Sequence, residues 1–155
     1  MATTNATFVL YDKAIGKICD GSIDLDAASA LGVILLTSAY TPDAALHDFV
    51  DDVAANEVST TNTGYARFTL LSPTWTETAA GVWTYDSADP SWTAGTANLT
   101  AHYFVLYHTI PATNATRQLV GYGLLDNTPA SVTTTNTNVL KYVVPASGWF
   151  NFTKV

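Results

Sequence analysis

Few residues in this chain carry groups suited to chemistry: three histidines, one cysteine and thirteen carboxylates. His102 and His108 lie six apart in a stretch expected to be one strand, so they share a face. At ~3.3 Å per residue they stand about 20 Å apart, too far for one ion to bridge. His47 belongs to another segment, and neither a His-x-x-x-His nor a Cys/His cluster occurs. No metal site is expected. Asp20, Asp24 and Asp26 invite comparison with a calcium loop, which needs Gly at its sixth position and a carboxylate at its twelfth. Counted from Asp20, those positions hold Leu25 and Leu31. Turn chemistry, with Asp side chains accepting nearby backbone N–H groups, is the simpler reading; a weak calcium site of another geometry is the alternative. There is no Gly-x-Ser-x-Gly elbow, no phosphate-cradling Gly loop and no Cys–His pair. Paired carboxylates hydrolyse glycosides only at a set separation, which the sequence does not display. No catalytic residue, cofactor or enzymatic activity is expected.

Aromatic residues are the surplus. Trp75, Trp83, Trp92 and Trp149 accompany eight Tyr and six Phe. Trp75, Trp83 and Tyr85 flank one hairpin, and Trp92 follows beside Pro90. Such residues either fill the core of a small sheet or stand exposed, where they stack on sugars or anchor a protein interface. Trp92, in an expected loop, is the one expected to be exposed. With Phe8 from the N-terminal arm, Trp75, Trp83 and Trp92 form the candidate interaction set.

The elements that must position these residues follow from periodicity. Residues 7–19 read as a short helix with Leu10, Ala14 and Ile18 on one face and Gly21 just beyond its end. Leu31 to Thr37 is a continuous apolar run of strand length, expected to be buried on both faces. Thr41 and Pro42 suit the start of a second short helix, with Leu46, Phe49, Val50 and Val53 inward. From Tyr65 the period becomes two. Strands are expected at 66–71, 75–78, 82–85, 97–109, 118–125, 139–144 and 148–153, and Ala79-Ala80-Gly81 closes a hairpin. The fold expected is mainly β, an antiparallel sandwich or barrel-like domain with one or two short helices in the N-terminal third. Residues 1–155 form one expected domain, with 1–8 a flexible or docking arm.

Composition narrows the partners. The 155 residues carry a net charge of −7 with only 12 % charged side chains. The six cations, Lys13, Lys17, Arg67, Arg117, Lys141 and Lys154, are scattered, which argues against nucleic-acid binding. Nine of the thirteen acidic residues precede Val58, so one face should be negative. Cys19 has no partner for an internal disulfide, so the fold should not require an oxidising compartment. No signal peptide or membrane span is expected.

Two motifs go further: Asp20-Gly21-x-Ile23-Asp24-Leu25-Asp26, and Leu35-Leu36-Thr37-Ser38-x-Tyr40-Thr41-Pro42. With His47-Asp48-Phe49, Asp52-Val53-x-x-Asn56-Glu57-Val58, Gly64-Tyr65, Arg117, Gly121-Tyr122 and Leu125-Asp126, the chain resembles a family of small virion proteins of tailed bacteriophages. It departs from that family after Gly64-Tyr65, where a Gly-rich turn is replaced by ARFTLL. The resemblance implies a structural protein made in the bacterial cytoplasm and carried on the outer capsid surface. There a cement or decoration protein binds and bridges the major capsid protein, and would do so as a dimer or trimer. A tail or fibre module that binds host-surface glycan is the alternative. No nucleic-acid or membrane partner is implied.

Overall fold

A computed structural model describes residues 2–3, 8–126, 128 and 130–154. The expected arm at residues 1–8 therefore lies partly outside the described residues. The element order is β1 (Ala2–Thr3), β2 (Val9–Leu10), α1 (Asp12–Cys19), β3 (Leu31–Leu36), α2 (Val50–Ala54), β4 (Phe68–Thr69), β5 (Thr74–Ala79), β6 (Val82–Asp86) and β7 (Ser91–Thr93). It continues through β8 (Leu99–Ala101), β9 (Tyr103–His108), β10 (Leu119–Leu124), β11 (Val132–Thr134), β12 (Val139–Tyr142) and β13 (Phe150–Thr153). The fold is mainly β, as expected.

A five-stranded sheet, ordered β2-β10-β9-β3-β4, runs through the middle. Every residue of β3 is buried, and alternation divides them between two cores. Leu31, Val33 and Leu35 join a larger cluster, whereas Ile34 and Leu36 join a second one. β9 divides likewise, with Phe104 and Leu106 on one side and Val105 and Tyr107 on the other. The larger cluster is completed by Tyr85, Trp92, Leu99, Leu140, Tyr142 and Phe150 from three smaller sheets, ordered β1-β12-β7, β11-β8 and β13-β6-β5. The second is covered by Tyr11 and Ala14, by Tyr40, and by Val50 and Val53 of α2. A strand buried on both faces must be apolar throughout, which is why LGVILL lacks polar alternation. Each fully buried Leu or Ile contributes about 1.5–3 kcal/mol. Gly32 has no room for a side chain: a Cβ there would lie 2.9 Å from the Phe68 carbonyl oxygen and from the Tyr107 ring.

The boundaries differ from expectation where long-range pairing intervenes. The first helix begins at Asp12, because Val9 and Leu10 pair with Tyr122 and Gly121. Gly21 does follow its end, at φ +76°. The second begins only at Val50. Phe49 is held extended, at φ −127° and ψ 162°, by a bridge to Gln118. Upstream, Asp43 instead forms a turn by accepting the N–H groups of Ala45 and Leu46, and Leu46 is 75 % exposed rather than inward. The strand expected at 97–109 breaks at His102, whose N–H donates to the Leu36 carbonyl while its own carbonyl accepts from Leu125. β8 and β9 therefore belong to different sheets. The short strands β2, β7 and β11 lie in segments where none was expected. β1 pairs with β12 in parallel, Ala2 opposite Lys141, so the arm's first residues lie along the chain's own sheet.

Candidate interaction surface

The histidines are dispersed. His47 Nδ1 pairs with the Tyr40 hydroxyl at 3.0 Å, and His102 Nδ1 with the Ser131 hydroxyl at 3.3 Å. His108 is buried, and burial holds its pKa below the ordinary value. Among the described residues no group of three His, Cys, Asp or Glu side chains is placed to hold a metal. The acidic turns match the turn reading: Asp20 Oδ1 accepts the Ser22 N–H at 2.8 Å, and Asp24 Oδ1 accepts the Asp26 N–H at 3.0 Å.

Other motif residues in the first half are also committed to the fold. Asp52 caps α2 by accepting the N–H groups of Asp48 and Phe49 at 2.8 and 2.9 Å. The buried Tyr11 and Tyr40 hydroxyls share a hydrogen bond of 2.8 Å, and desolvation raises the pKa of both. The Tyr65 hydroxyl donates to Glu57 Oε1 at 2.7 Å and accepts the Leu35 N–H at 3.2 Å. Burial, then the Glu57 charge, raises its pKa far above the usual range. Arg67 grips Glu57 through Nε at 2.8 Å and Nη2 at 2.6 Å. The Arg67 and Arg117 guanidiniums lie 5.7 and 5.9 Å from the Tyr107 ring centre. These networks hold β3 and β9 to the loops around them.

The aromatic candidates separate. Trp92, expected to be exposed, is only 4 % exposed. It is the middle residue of β7, opposite Leu140, so strand alternation turns it inward. Its indole N–H donates to the Ala66 carbonyl at 2.8 Å, and its ring meets Phe68 edge-on. Phe8 is half-buried and stacks on Phe150 at 5.6 Å, so it covers the core. It passes so close to Gly121 that a Cβ there would meet its ring at 2.2 Å.

Trp75 and Trp83 behave otherwise. In the sheet β13-β6-β5, Trp75 lies opposite Tyr85, and Trp83 lies opposite both Glu77 and Phe152. Residues directly opposite share a face. Trp75, Trp83, Phe150 and Phe152 therefore form one aromatic face, with Trp75–Trp83 centroids 5.8 Å apart and Trp75–Phe152 at 5.5 Å. Trp83 is 42 % exposed, Trp75 and Phe152 are half-buried, and every other residue of β5 is exposed. The hairpin between β5 and β6 turns at Gly81, at φ +75°. Spacing pointed to Trp75 and Trp83, but Phe152 was missed because its strand is remote in sequence.

Two hollows adjoin these elements. One of about 180 Å³, between α1 and Phe49, is crossed by the Lys13–Asp48 ion pair. The other, an open groove of about 350 Å³, runs from the acidic turn after α1 to Trp75. No family model, curated protein or solved structure matches the chain. Among the described residues no helix is long and apolar enough to cross a membrane.

Proposed function

We propose that the chain is a bacteriophage virion structural protein, a capsid cement or decoration protein that binds the outer surface of the head and bridges major capsid protein subunits. The observation that carries this reading is the aromatic face of the β13-β6-β5 sheet, with Trp83 at its exposed end. Partly exposed aromatics on a rigid sheet supply the large, low-entropy contact that anchors protein interfaces. The chain as a whole is poor in charge, at 12 % charged residues, and Glu77, opposite Trp83, is the carboxylate of this face, so docking there desolvates few ions. The motif residues that carry the resemblance hold the fold, which suits a scaffold reused on many equivalent lattice sites. Self-association as a dimer or trimer would match the closed symmetry of such sites.

The test is copy number per virion, by quantitative mass spectrometry against the major capsid protein. Hundreds of copies in simple ratio support a lattice protein. A few copies place it at the tail or neck, where the exposed Trp83 indole would serve glycan binding instead. Absence from purified particles refutes both.

A further inference from the structure

The groove beside Trp75 has a composition that the aromatic face does not explain. It is lined by Ile18, Asp24, Asp26 and Trp75, with the core residues Ile23 and Leu25 at its base. The two carboxylates are exposed, and among the described residues neither is paired with a Lys or Arg. Asp24 uses Oδ1 for the Asp26 N–H, which leaves its second oxygen for another donor. The half-buried Trp75 and Ile18 and two carboxylates with no Lys or Arg partner together complement a cation on an aliphatic stem.

Elsewhere the same molecule shows this combination filled. The Arg67 guanidinium lies over the Tyr107 ring at 5.7 Å while Glu57 holds it by two hydrogen bonds. The groove presents the aromatic and acidic parts without the guanidinium. A neutral sugar would stack on the indole but leave two like charges uncompensated. Lysine would neutralise charge, yet only a guanidinium combines a planar stacking surface with enough N–H groups to serve both carboxylates.

We infer that this groove receives an arginine side chain from the protein surface on which the chain docks. The inference rests on the reading of the chain as a protein-docking module, and it gives that partner a required chemistry. The arginine stem packs against the partly exposed Ile18, the guanidinium lies against Trp75, and its N–H groups donate to Asp24 and Asp26.

The test titrates the full chain with acetyl-Gly-Arg-Gly-amide and follows the indole N–H resonance of Trp75, assigned with Trp75→Phe. Parallel titrations use the same peptide with neutral citrulline in place of arginine, and methyl β-glucoside. A saturable shift is expected with the arginine peptide and none with the two neutral probes. The double substitution Asp24→Asn, Asp26→Asn should weaken the response at least tenfold. Asparagine keeps an oxygen for the Asp26 backbone N–H, so the turn survives; unchanged resonances elsewhere verify this. No shift with the arginine peptide, or equal shifts with the neutral probes, overturns the inference. No capsid enters the titration. A negative result leaves docking through Trp83 standing, and failure of the copy-number test leaves a positive titration standing.

Discussion

The segment from Asp20 to Tyr65 and the β13-β6-β5 sheet use their side chains in opposite ways. In the first, carboxylates accept backbone N–H groups at Asp20, Asp24, Asp43 and Asp52. Glu57 and Tyr65 close a network on β3. In the second, Trp83 and the β5 side chains other than Trp75 are exposed, and half-buried Trp75 and Phe152 link them to the core. The difference teaches that a dense motif first specifies geometry, leaving for a partner only the carboxylate oxygens it does not use, as at Asp24 and Asp26. Where polar residues meet local backbone donors, they specify geometry; where aromatics remain uncovered on a rigid sheet, they are available to a partner.

The contrast breaks if core and surface substitutions fail to separate stability from binding. Phe104 is 1 % exposed and packs against Tyr142, Trp149 and Phe8. Phe104→Ala should lower unfolding free energy by about 3–5 kcal/mol in urea titrations, whatever happens to binding. Trp83→Ala should cost less stability than Phe104→Ala and, if the chain docks on capsids as proposed, weaken binding to capsids lacking the protein by about 2 kcal/mol, roughly 30-fold. Equal losses in both measurements would erase the distinction between the two regions. Asp52→Ala removes the cap from α2 and should cost about 1 kcal/mol of stability, with capsid affinity unaltered.

The smallest effect is pH-dependent and belongs to the core. Burial depresses the His108 pKa below 6.5 in the folded chain. The unfolded chain then takes up the proton first as pH falls. The His108 contribution is whole above about pH 6.5 and is lost progressively toward the lower folded-state value. Thermal melts across this range should show a slight fall in the wild-type midpoint that is reduced in His108→Gln.

Legibility followed the range of the interactions. The strand at Leu31–Leu36, the turns at Asp20 and Asp24, and Gly21 at φ +76° were each readable. Each depends on an apolar run or on backbone contacts within a few residues. The helix starts were not, since residues remote in sequence, Gly121 and Gln118, hold Leu10 and Phe49 extended.

The candidate surface divides in the same way. By itself, the sequence determined a mainly β chain, its central apolar strand, its acidic turns and the Trp75–Trp83 hairpin. Only the tertiary structure decided that Trp92 is buried while Trp83 is 42 % exposed, and that Phe152 lies opposite Trp83 on one face. It also placed the acidic turn beside Trp75. The physical reason is that side-chain alternation specifies two faces for every strand, whereas which face meets solvent depends on pairing with segments far along the chain.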